Sequence, residues 1–172
     1  MKIIKKILLF LLVVFVIAQF FGPEKNEGDL ASIETFYAET NPTEDVKLIL
    51  KESCNDCHSD VTRYPWYNNI TPVNYWMAEH VDNGKKHFNI SKWDDYSTKK
   101  KDHKLEELAE MVEKKEMPLE SYTNFGLHAE ANLTDAQRDL IMDWAKEQMT
   151  YLKNTYPADS LVMKRRKPAP GK

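Results

Sequence analysis

Apolar side chains follow two different patterns along this chain. From Ile7 to Phe21 they form a nearly unbroken run, interrupted only by Gln19. Beyond that run they recur at three- and four-residue spacing, the period of helices that bury one face. Val46, Ile49 and Leu50, continued by Ser53 and Cys57, mark a helix that begins near Asn41-Pro42-Thr43. Asn41 or Thr43 caps it, and Glu44 and Asp45 fall in its first turn. Val73, Trp76, Met77, His80 and Val81 share one face of a second helix over about 72–86, with Pro72 in first position and Thr71 as cap. A third, highly charged helix over about 97–115 turns Leu105, Leu108, Ala109 and Val112 inward, and Met117-Pro118 ends it. The last opens on Thr134-Asp135-Ala136-Gln137, a capping-box pattern, and runs to about 153 with Leu140, Ile141, Trp144, Ala145, Gln148 and Leu152 inward. Trp76, Trp93 and Trp144 read as core anchors. Residues 59–71 and 117–133 read as loops, and nothing alternates with period two, so the expected fold is all-α.

The first 21 residues stand apart. Lys2, Lys5 and Lys6 precede the apolar run, the layout of a secretory signal or membrane anchor. Counted from Ile3 to Phe21, the run approaches the length a helix needs to cross hydrocarbon. Ala18-Gln19-Phe20-Phe21 offers no small-residue cleavage site, and no cysteine follows that could carry a lipid. We therefore expect an uncleaved anchor helix over 1–21 in preference to a removed signal. The three lysines then stay in the cytoplasm and the rest faces the periplasm; cleavage would release the domain there. Residues 22–41 read as a polar linker with a short helical turn around Ile33–Ala38, 42–155 as the folded domain, and 156–172 as a flexible tail with the basic run Lys164-Arg165-Arg166-Lys167.

Charge sharpens this division. The chain carries a net −3, yet residues 22–155 hold 16 basic against 26 acidic side chains, a net of −10. Such a surface keeps a domain soluble and favours basic partner surfaces. No nucleophile triad, phosphate-cradling loop or basic patch with interleaved aromatics is present, so we expect no bond-making chemistry and no nucleic-acid partner.

The candidate chemistry lies in Cys54-Asn55-Asp56-Cys57-His58, a C-x-x-C-H run that uses both cysteines of the chain. This is the attachment pattern of a c-type haem. Each thiol adds across one porphyrin vinyl group, and the histidine ligates the iron from the proximal side. Two other readings compete: a zinc site, for which His80, His87, His103 and His128 do not supply a paired ligand motif, and a thiol redox pair, which expects a strand before the motif. A sixth iron ligand is expected at Met117, a soft thioether in a helix-ending segment stiffened by Pro118. The four histidines are its rivals, while Met77, Met111, Met142 and Met149 read as packing residues. Close behind the motif, Arg63 is placed to pair with a haem propionate, and Tyr64 and Trp66 of Tyr64-Pro65-Trp66-Tyr67 to wall the ring.

These elements together resemble the bacterial haem-binding domain family. The likeness rests on Cys54-Asn55-Asp56-Cys57-His58-Ser59, Thr62-Arg63-Tyr64-Pro65-Trp66-Tyr67, Ile70-Thr71-Pro72, His80-Val81 with Gly84, Trp93, and Glu116-Met117-Pro118 with Tyr122, and it covers about residues 45–152. Lys85-Lys86 departs from it where an arginine is expected after the glycine. The resemblance implies one covalently attached haem c at Cys54 and Cys57, with His58 proximal and Met117 distal, in a small cytochrome c-like domain. The leading expectation is a membrane-anchored carrier of single electrons, with redox proteins as partners. The alternatives are a haem-based sensor and a peroxidase-like enzyme, each with an open sixth site.

Overall fold

The computed structural model of the protein describes residues 2–162. The basic run expected at Lys164–Lys167 lies outside the described residues. Eight α-helices are described: α1 (Lys2–Ala18), α2 (Ala31–Thr40), α3 (Glu44–Ser53), α4 (Asn55–His58), α5 (Val73–His87), α6 (Thr98–Glu113), α7 (Glu120–Thr123) and α8 (Asp135–Thr155). Short 3-10 turns join several of them. One isolated bridge, Glu27 with Val61, is the sole strand-like pairing among the described residues. The expected all-α fold is what the chain forms.

Two compact units divide the described residues, one of 2–33 and 55–91, the other of 34–54 and 92–162. The second unit holds the larger core. Phe36 on α2 is fully buried and meets Trp93 edge-on at 5.0 Å between ring centroids, and Trp144 at 6.0 Å. Leu50, Leu105, Ile141 and Ala145 complete a core closed mainly by α6 against α8. Thr134 caps α8 through the reciprocal Gln137 contacts that its sequence predicts. Thr43 caps α3, its hydroxyl accepting from the Val46 N–H at 3.4 Å.

Several expectations change. Within the segment read as a linker, Ala31–Thr40 form a ten-residue helix, so the short turn expected there is longer, and it buries one face, Ile33, Phe36 and Thr40. The polar residues between them mask that face in the sequence. Leu140 is exposed instead of inward, and Trp76, read as a core anchor, is 46 % exposed. Of the stripe predicted on α5, Val81 alone is buried. Thr71 does not cap α5; Pro72 occupies that position, and the Thr71 hydroxyl donates to the Phe21 carbonyl instead. α6 stops at Glu113, before the proline acts, where Lys115 takes a left-handed conformation (φ 59°) and the N–H groups of Glu116 and Met117 both return to the Met111 carbonyl.

The N-terminal expectation is also corrected. Among the described residues no helix is long and apolar enough to cross a membrane. α1 has 17 residues, about 25 Å at 1.5 Å per residue, against a hydrocarbon core of about 30 Å. Its side chains are exposed from Lys2 through Ile17.

In the first unit α4 packs on α5, and the chain from Gln19 to Gly28 is bound to the loop that follows α4. Asn26 is its hub. Its backbone N–H donates to the Tyr64 hydroxyl at 2.7 Å, and its carbonyl accepts from the Thr62 N–H at 3.0 Å. Its amide donates to the Ser59 carbonyl and the Thr62 hydroxyl, both at 2.9 Å.

Truncating Phe36 to alanine removes the ring that two tryptophans enclose. We expect a loss of about 3–5 kcal/mol, read as a melting temperature lower by roughly 6–20 °C for a domain of this size. Circular dichroism melts of parent and Phe36→Ala check it; an unchanged midpoint would contradict the assigned core.

Candidate functional site

The C-x-x-C-H run falls where α3 breaks. Cys54 ends α3, its N–H still bonded to the Leu50 carbonyl, and Asn55 opens the single turn of α4 that carries Cys57 and His58. The unit boundary passes between Cys54 and Asn55. No disulfide joins the two cysteines.

The turn is held from within its own unit. The buried Asp56 carboxylate accepts from the Arg63 backbone N–H at 2.9 Å, from Nε at 3.1 Å and from Nη2 at 3.0 Å. The Thr62 hydroxyl donates to the Asp56 carbonyl at 2.6 Å. A bidentate Arg–carboxylate pair gives direction as well as charge, so the loop returns onto the motif in one register. Arg63, expected at a propionate, therefore directs its guanidinium at Asp56. Lys85, which departs from the family pattern, joins the same cluster: its ammonium lies 3.6 Å from the Asp60 carboxylate and donates to the Asn26 amide oxygen.

His58 is oriented by a neighbour that the sequence does not advertise. Its Nδ1 lies 2.9 Å from the Phe88 carbonyl just past α5. A carbonyl only accepts, so Nδ1 carries the proton and the ring's lone pair sits on Nε2, the tautomer that a metal-ligating histidine requires. Behind the motif, α5 approaches at Gly84, where a Cβ would lie 2.4 Å from the Cys57 carbonyl oxygen. Only a residue without a side chain fits that contact.

The Cys57 thiol is pushed up to about 11, first by burial and then by the adjacent Asp56 carboxylate. Reactive redox cysteines show the opposite shift, so this environment disfavours the thiol-exchange reading. Among the described residues no group of three or more His, Cys, Asp or Glu side chains is arranged to hold a metal ion, so the zinc reading lacks its further ligands. The donors present fit a haem instead: the two cysteines of the motif and an imidazole whose Nδ1 faces a carbonyl.

Met117 lies in the second unit, half-buried in the segment after α6. Arg138 on α8 clamps that segment, its Nη1 donating to the Met117 carbonyl at 2.8 Å and to the Val112 carbonyl at 3.0 Å. Sequence reasoning missed Arg138, because its partners are backbone carbonyls more than twenty residues away. The rival histidines have other engagements. His80 bonds the Trp76 carbonyl at 2.8 Å, His103 contacts Glu106 and Glu107, and the buried His128 stacks on Tyr122 at 4.1 Å. His87 is exposed at the end of α5. Tyr64 is half-buried with its hydroxyl on Asn26, whereas Trp66 is 72 % exposed.

The family model of a haem-binding domain matches residues 13–147, which include the motif, the Gly84 contact and Met117. No curated protein and no solved structure matches the chain.

Two outcomes follow from the geometry. Gly84→Ala must separate α5 from α4, and we expect it to lower both the melting temperature and the haem content of purified protein, measured by pyridine haemochrome. In the haem-free chain the raised Cys57 value means that the folded state holds a proton the unfolded state releases first. That stability is whole below about pH 9 and is lost as pH rises toward about 11. Denaturant titrations across this range should show the loss in the parent and a smaller one in Cys57→Ala.

Proposed function

Because this chain belongs to the haem-binding domain family, we propose that it attaches one haem c covalently through Cys54 and Cys57 and passes single electrons between redox proteins outside a membrane. The observation that carries the reading is the Nδ1 contact of His58 with the Phe88 carbonyl, set in a C-x-x-C-H turn that Gly84 allows α5 to back.

Haem iron, when held there, supplies one-electron chemistry that no side chain of this protein offers. The chain's own residues do the rest. Phe88 fixes the tautomer and the ring orientation of His58, and the shared proton makes Nε2 a stronger donor. Asp56 and Arg63 keep the attachment turn from rotating. Met117 is the proposed sixth ligand; its thioether favours the reduced iron and raises the potential, and Arg138 limits the travel of its backbone. Tyr64 is proposed to face a propionate or the ring edge. The acidic surface of residues 22–155 suits basic docking partners.

α1 is proposed to sit in lipid. The apolar run from Ile7 to Ala18 needs an apolar medium on all sides, and Lys2, Lys5 and Lys6 at its start suit a lipid headgroup layer. The domain is proposed to face the periplasm.

Protein matured in a cell competent in cytochrome c assembly should yield one haem per chain by pyridine haemochrome and no titratable thiol. Met117→Ala should lose the ferric charge-transfer band of sulfur ligation, lower the potential and bind carbon monoxide. Parent protein that is already five-coordinate and binds carbon monoxide at once would favour a sensor or peroxidase-like role over the carrier.

A further inference from the structure

Three exposed aromatic side chains lie near the exit of α1. Phe20 is 83 % exposed, Phe21 63 % and Trp66 72 %. Phe20 and Phe21 line one cleft of about 330 Å³ together with Tyr64, Asn68 and Asn69. Trp66 does not line the cleft but opens the 3-10 turn Trp66–Asn69 that supplies two of its residues. Glu24, Lys25 and Asn74 give the wall its polar groups, beside Pro23 and Ala78.

No slack separates this cleft from α1. One residue beyond Ala18, the Gln19 side chain bonds the Thr71 backbone in both directions, accepting from its N–H at 2.9 Å and donating to its carbonyl at 3.2 Å. The same amide donates to the Phe15 carbonyl inside α1 at 2.8 Å, and the Thr71 hydroxyl donates to the Phe21 carbonyl at 2.9 Å. Whatever surrounds α1 therefore sets the height of the cleft. A single flat partner would cover one side of a helix exposed on every side; a bilayer covers all of them. α1 falls about 5 Å short of a full hydrocarbon core. Aromatic residues at its end are the usual means by which a short apolar helix is held at the interface.

We propose that Phe20, Phe21 and Trp66 form an interfacial face that rests in the headgroup layer of a phospholipid bilayer, with the cleft behind them open to headgroups. The proposal rests on α1 being lipid-embedded. It assigns Trp66, expected from sequence to wall the haem, to the membrane surface instead, and it makes the segment from Gln19 to Gly28 a strap that fixes the first unit against the bilayer.

The test uses the full-length, haem-loaded protein in vesicles of phosphatidylethanolamine and phosphatidylglycerol. Attached haem blocks both native cysteines, so Trp66→Cys takes one spin label per chain; three labels per chain would show that the haem reading had failed, independently of this one. We expect the label to be several-fold more accessible to oxygen than to a water-soluble nickel complex in vesicles, and to lose that preference in Gln19→Ala/Thr71→Val. Phe20→Cys serves as a second position should Trp66→Cys fail to incorporate haem. Protein that floats with vesicles while both labels stay in water overturns the interfacial face and leaves the lipid-embedded helix standing. Protein that does not float, and elutes as an oligomer, overturns both and assigns α1 to a second copy of the chain.

Discussion

A methyl group at residue 84 would lie 2.4 Å from the Cys57 carbonyl oxygen, so α5 and the attachment turn touch backbone to backbone. The rest of the first unit depends on that approach. With α5 pressed against α4, its C-terminal end delivers the Phe88 carbonyl to His58 Nδ1 and the Lys85 ammonium to Asp60. A side chain at position 84 would move both. The four residues of α4 are too few to hold a helix by their own hydrogen bonds; they are held by what surrounds them.

That surround is polar and local. Asp56, Thr62 and Arg63 tie the turn to the following loop, and Asn26 ties the loop to the chain that emerges from α1. Buried hydrogen-bonded groups of this kind add little net stability but fix one geometry, because each unmet partner would cost more than a made bond returns. For the proposed role of the turn, a single geometry matters more than added stability. The second unit solves a different problem. Its stability comes from aromatic and aliphatic burial around Phe36, Trp93 and Trp144, and this rigid frame is what the Met117 segment hangs from through Arg138.

Local rules read well where the physics is local. The capping box of Thr134 and Gln137, the Thr43 cap and the buried stripe Leu105, Ala109 and Val112 all appear as the spacing implies. The same rules failed on α2, where a buried face of Ile33, Phe36 and Thr40 lies within a polar composition, and on Trp76 and Leu140, where amphipathic periodicity named a face without showing whether anything covers it. Helix termination at Lys115 was misread because a left-handed lysine carries no sequence signature comparable to a glycine.

By itself the sequence determined the all-helical class and the C-x-x-C-H run on which the proposed attachment rests, since a contiguous chemical pattern needs no fold to be recognised. It also marked the unbroken apolar run from Ile7 to Ala18. Only the tertiary structure decided the tautomer of His58, the engagement of Arg63 with Asp56 and the exposure of Trp66. Each of these depends on a partner distant in sequence or brought round by a turn, and hydrogen-bond geometry and burial are properties of where such partners meet, which no single stretch of residues encodes.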